Sequence, residues 1–84
     1  MHEETTYYAV TIADGSDDNP AGLVRRRQYD DGGIEDEMLR HDMSWQPDSL
    51  IAEWRRGDSV EELHEISAGE AERLMERFRQ KWAQ

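Results

Sequence analysis

Three groups of side chains in this chain have the types and spacing to do chemistry. Asp14, Asp17, Asp18 and Asn19 place four oxygen-bearing side chains in one short stretch, and a hard cation such as calcium takes several oxygen ligands from one loop. Their spacing is not that of an EF-hand, because alternate ligands and a closing glutamate at the twelfth position are missing. A solvated turn is the stronger reading. No metal is expected, and Asp14, Asp17 and Asp18 remain as the only metal candidates. The second group is Arg25-Arg26-Arg27, three consecutive guanidinium groups that would suit a phosphate or an acidic partner if they were free. The third is the set Trp45, Trp54 and Trp82, large rings that anchor either a core or a contact surface.

Catalysis finds little support. No cysteine is present, so thiolate zinc sites and thiol nucleophiles are absent. No serine sits in a G-x-S-x-G elbow, and no glycine-rich phosphate loop occurs. His2, His41 and His64 lack any metal-ligand spacing, and His64 reads as a partly buried packing residue. The expectation is a non-enzymatic chain with no catalytic residue and no cofactor.

These groups must be positioned by a small set of elements. The run Tyr7 to Ala13, YYAVTIA, is β-branched and aromatic and reads as a strand. A cluster of turn formers ends it, and a second strand follows from Leu23 to Tyr29. Asp31-Gly32 suits a two-residue hairpin turn leading to a third strand from Ile34 to about Arg40. That turn would set Tyr29 opposite Ile34, Arg27 opposite Asp36, Arg26 opposite Glu37 and Val24 opposite Leu39. Arg25 and Arg27 then project from one face and Arg26 from the other, so the arginines are register markers first and a grip on a partner second.

Pro47 fits the first turn of a short helix carrying Leu50, Ile51 and Trp54, with Gly57 as its stop. Leu63 to Ile66 reads as a fourth short strand, with a helical turn as the alternative. Ser67-Ala68-Gly69-Glu70 matches a capping box, and Ala71, Leu74, Met75, Phe78 and Trp82 form one apolar stripe on the helix that follows. The expected fold is α+β: a three- or four-stranded antiparallel meander with a short helix and a C-terminal amphipathic helix packed on one face.

Length and charge bound the rest. With 84 residues, the chain makes one domain, expected over residues 7–84 behind a flexible start at residues 1–6. The formal charge of -10 repels nucleic acid and anionic membranes, so neither is expected as a partner. No apolar run is long enough to span a bilayer and no signal peptide is evident, which makes cytoplasm the expected location.

The order Tyr7-Tyr8-Ala9-Val10, Gly22-Leu23-Val24-Arg25-Arg26, Ser44-Trp45-Gln46-Pro47 and Glu65-Ile66-Ser67 before Ala71-Glu72-Arg73 resembles a group of short uncharacterised proteins of high-GC Gram-positive bacteria. The likeness covers most of residues 7–82. It implies a bacterial cytoplasmic domain and carries over no catalytic residue.

The leading expectation is a domain acting through contacts with another protein, with Arg25, Arg27, Trp45 and Trp54 as the contact candidates. A homodimer through an edge strand belongs to the same reading. One alternative is an acidic mimic or antagonist of a nucleic-acid-binding protein, motivated by 12 acids against three arginines between Asp30 and Glu65. The other is a weak metal binder or small hydrolase.

Overall fold

A computed structural model describes residues 3–12 and 20–83. The elements run β1 (Glu3–Ile12), β2 (Gly22–Tyr29), β3 (Ile34–Leu39), β4 (Trp45–Pro47), α1 (Leu50–Arg56), β5 (Glu61–Ile66) and α2 (Ala68–Trp82). All five strands join one antiparallel sheet in the order β4-β3-β2-β1-β5. The α+β class is therefore as expected, with one more strand than the sequence suggested.

The first strand begins at Glu3 rather than Tyr7, because Thr5 and Thr6 continue the β-branched pattern and pair with Arg27 and Arg26. The extra strand is β4. Pro47 closes it instead of opening the helix, and the Asp48 carboxylate accepts the Leu50 N–H at 2.8 Å where α1 starts. Gly57 ends α1 at φ 81, as a left-handed C-cap requires. Ser67 and Glu70 form the expected reciprocal capping box on α2, which spans about 22 Å at 1.5 Å per residue.

The helices lie on opposite faces of the sheet, a correction to the expectation of a single covered face. β1 is apolar on both sides, so both sides need cover. Tyr8 and Val10 join Val24, Leu63, Leu50 and Ile51 under α1, with Met38 and Trp54 at the margin. Tyr7 and Ala9 project the other way and meet Leu23, Leu39 and the α2 residues Ala71, Leu74 and Phe78. Leu23, Val24 and Ile51 are nearly inaccessible to solvent, each contributing about 1.5–3 kcal/mol of burial. Topology gives a second reason: β4 and β5 are the two edges, so their connection must cross the sheet, and α1 makes that crossing on the face α2 does not occupy.

Candidate functional site

The arginine hairpin is built with one more loop residue than a two-residue turn. Tyr29 N–H donates to Gly33 O at 2.9 Å, and Gly32 N–H donates to Tyr29 O at 3.0 Å. Asp30, Asp31 and Gly32 thus form a three-residue loop, with Gly32 at φ 89 in the left-handed position of a bulged turn. The Asp31 carboxylate locks it by accepting the Gly33 N–H at 2.8 Å. The added residue slips the pairing by one: Val24 meets Met38, Arg25 meets Glu37, Arg26 meets Asp36 and Arg27 meets Glu35. This corrects the expected register and still gives every arginine an acid opposite it.

As expected, Arg26 faces one side of the sheet and Arg25 and Arg27 the other. Arg26 holds Asp36 with two hydrogen bonds of 2.8 and 2.9 Å, both side chains being only 11% and 15% exposed. The hydrogen bond to Asp36 raises the Arg26 pKa against the opposing effect of burial. Arg25 donates to Glu37 from Nε at 3.0 Å, and its second nitrogen lies 2.9 Å from the same oxygen. Arg27 donates to Glu35 at 2.7 Å and approaches Glu37 and Glu3 at 3.1 and 3.5 Å. Burial acts against the Arg27 charge, but Glu37, Glu35 and Glu3 outweigh it and its pKa rises. These guanidinium groups are held by carboxylates of their own chain, which leaves no open fork for a phosphate.

The structure brings Arg25, Arg27 and Trp45 together on the α2 side of the sheet and sets Trp54 apart. The Arg25 guanidinium carbon lies 4.1 Å over the Trp45 ring, and Tyr7 packs against that ring with centroids 6.2 Å apart. Trp45 is therefore committed largely to internal packing. Trp54 packs on Tyr8 across the other face, with centroids 5.9 Å apart. Tyr8, Trp54, Arg55 and Glu65 line a shallow cleft there. Trp82 continues the α2 stripe, stacking on Phe78 and on His41 at 4.4 Å in each case.

A different surface emerges at the sheet edges, which no single motif marks in the sequence. The hydrogen bond from Tyr29 to Gly33 turns Arg25 and Arg27 toward β3, so Val24, Arg26 and Gln28 turn toward β1. Continuing the alternation, Tyr7, Ala9 and Thr11 of β1 face β5, where they meet Ile66, His64 and Glu62. Glu61, Leu63 and Glu65 must then direct their main-chain N–H and C=O groups outward. At Glu61 that edge is closed, because its N–H donates to Ser59 Oγ at 3.1 Å and its carboxylate accepts from the same hydroxyl at 2.7 Å. Among the described residues Leu63 and Glu65 remain as the open part, with β1 the only strand beside β5. Strand β4, at the other edge, has three residues and ends in a proline with no N–H to offer.

Asp14, Asp17 and Asp18 lie outside the described residues. Among the described residues no group of three or more histidine, cysteine, aspartate or glutamate side chains is arranged to hold a metal ion. His64 is half-buried, as expected for a packing residue, with Nε2 lying 3.1 Å from Thr11 Oγ1. No described helix is long and apolar enough to cross a membrane. No family model, curated protein or solved structure matches the chain.

Proposed function

We propose that this protein is a non-enzymatic bacterial contact domain, working in the cytoplasm, that binds another protein by main-chain pairing along the outer edge of β5. The observation that carries the reading is the outward direction of the Leu63 and Glu65 main chain on a strand of six residues with β1 on one side. The self-paired arginines support the same choice by removing the competing grip. Carbodiimide coupling in a native lysate tests it, since it joins the carboxylates of Glu62 and Glu65 to amines of whatever lies against them. Cross-links from β5 to a second chain are expected. A strict monomer in a sedimentation concentration series, with no such cross-link, overturns the proposal.

A second reading, an acidic mimic that occupies a nucleic-acid-binding protein, is favoured by the charge between Asp58 and Glu72. That stretch holds six acids and no lysine or arginine. Its test is capture of a DNA-binding protein that is released by salt and competed by DNA, whereas edge pairing resists DNA competition.

A further inference from the structure

We infer that the occupant of the β5 edge is an extended peptide segment rich in lysine or arginine, adding as a sixth strand, and not a second copy of this chain. The inference rests on the contact-edge reading above and supplies the chemistry of the partner. The site itself is the main chain of Leu63 and Glu65, which offers two donors and two acceptors in a row along the strand direction. An incoming strand meets these groups with its own backbone regardless of sequence, so selection falls to side chains on the two faces.

On the α1 face those side chains are Glu61 and Glu65, flanking the buried Leu63, and beside Glu65 opens the cleft lined by Tyr8, Trp54 and Arg55. On the α2 face Glu62 is exposed next to the half-buried His64. An added strand therefore finds a carboxylate on either face, and cross-strand opposite charges stabilise such pairs while like charges oppose them. A second copy brings no lysine or arginine on β5 to meet these carboxylates. Antiparallel self-pairing centred on Leu63 would set Glu61 against Glu65 twice, in a chain already carrying a formal charge of -10. Ser59, by occupying the Glu61 N–H, confines any added strand to the Leu63 and Glu65 groups. A basic strand removes the charge opposition, and an aromatic or aliphatic side chain beside its basic residues would have the Trp54 cleft within reach.

The test uses the full chain and two acetylated, amidated octapeptides, one alternating arginine with valine and one alternating glutamate with valine. Amide exchange and chemical shifts are followed residue by residue. With the arginine peptide, exchange at Leu63 and Glu65 is expected to slow by about tenfold or more, as it does when an amide gains a hydrogen bond in a new ladder, and added salt should weaken the effect. The glutamate peptide should leave both amides unchanged. Glu65→Pro removes one outward donor without touching the ladder to β1 and should abolish the protection; Glu65→Gln keeps the donor and should weaken binding about threefold to tenfold.

The failures are distinguishable. Rapid exchange at Leu63 and Glu65 that the arginine peptide does not slow overturns the basic-strand inference and leaves the open edge standing. Protection that appears without peptide as concentration rises, together with dimer in sedimentation, overturns it in favour of a second copy. Protection in the dilute free monomer removes the open edge itself, and both readings fall.

Discussion

Two hairpins in this sheet share one turn geometry and hold it by different means. In the first, Tyr29 and Gly33 bracket Asp30, Asp31 and Gly32; in the second, Arg40 and Ser44 bracket His41, Asp42 and Met43. The bracketing hydrogen bonds correspond: Tyr29 N–H to Gly33 O at 2.9 Å, and Arg40 N–H to Ser44 O at 2.8 Å. In each, the middle aspartate accepts the N–H two residues on, Asp31 from Gly33 and Asp42 from Ser44. The left-handed position is filled by Gly32 in one and by Met43, at φ 67, in the other. A methionine there is disfavoured by about 1–2 kcal/mol. The second hairpin tolerates this because Met43 and Trp45 pack against the Leu39, Ala71 and Phe78 cluster, whereas the first contributes no residue between Arg25 and Glu37 to either core cluster and relies on glycine and a ladder of charges. Turn chemistry and tertiary packing are thus interchangeable sources of the same loop.

The largest expected effect comes from withdrawing the packing. Trp45→Ala should destabilise the fold by about 2–3 kcal/mol, since it removes a ring that covers Tyr7 and Arg25; urea denaturation measures it, and a change under about 0.5 kcal/mol would show that packing does not hold the second hairpin. Next, Arg26→Ala should lower stability by about 2 kcal/mol because it strands the nearly buried Asp36 carboxylate. Exchanging the pair, Arg26→Asp with Asp36→Arg, should restore most of that loss. Recovery by exchanging Arg27 with Asp36 instead would contradict the observed register.

At the left-handed positions the comparison sharpens. Gly32→Ala should be destabilising by about 1 kcal/mol, while Met43→Gly should change stability by less than that, relief of the backbone being offset by lost side-chain contact. Equal responses at the two sites in thermal denaturation would end the distinction drawn between the loops.

The smallest effect is one of pH. The Ser44 hydroxyl, and after it the Ser44 main-chain N–H, holds the Asp42 carboxyl below its ordinary range. A carboxyl depressed in the folded state adds stability above its unfolded pKa, and that addition disappears as pH falls through the lower folded value. Melting temperatures of the wild type and Asp42→Asn should therefore differ most near neutrality and converge toward about pH 2–3. A constant gap down to that pH would mean that ionisation of Asp42 is not involved.

The same contrast explains what could be read from the chain. The first hairpin was visible because Asp-Gly is a strong turn signal, but dipeptide identity does not count loop residues, and one extra residue shifted every pair. The second was hidden because Met43 carries no turn signal at all. With it went β4, and with β4 the meeting of Arg25 and Trp45. β1 and α2 were legible because their patterns are long and α2 is capped in sequence by Ser67 and Glu70. Two-sided burial of β1 was written in Tyr7-Tyr8-Ala9-Val10, an unbroken apolar run where a half-solvated strand would alternate. The open edge of β5 was not legible, since the outward residues depend on the hydrogen-bond phase set by Tyr29 and Gly33, two strands away.

The pairing of β5 with β1 has a kinetic consequence. Tyr7 meets Ile66 and Ile12 meets Glu61, so β1 leaves the ribosome roughly 3–10 s before its second neighbour at ordinary rates of synthesis. During that interval the local meander of β1 to β4 can form, yet β1 stands as its unprotected border, apolar on both faces, until β5 arrives. Contacts so distant in sequence also raise contact order and slow folding. β5 is therefore the last strand added, and it takes over the sheet margin from the segment most prone to pair with a neighbouring nascent chain.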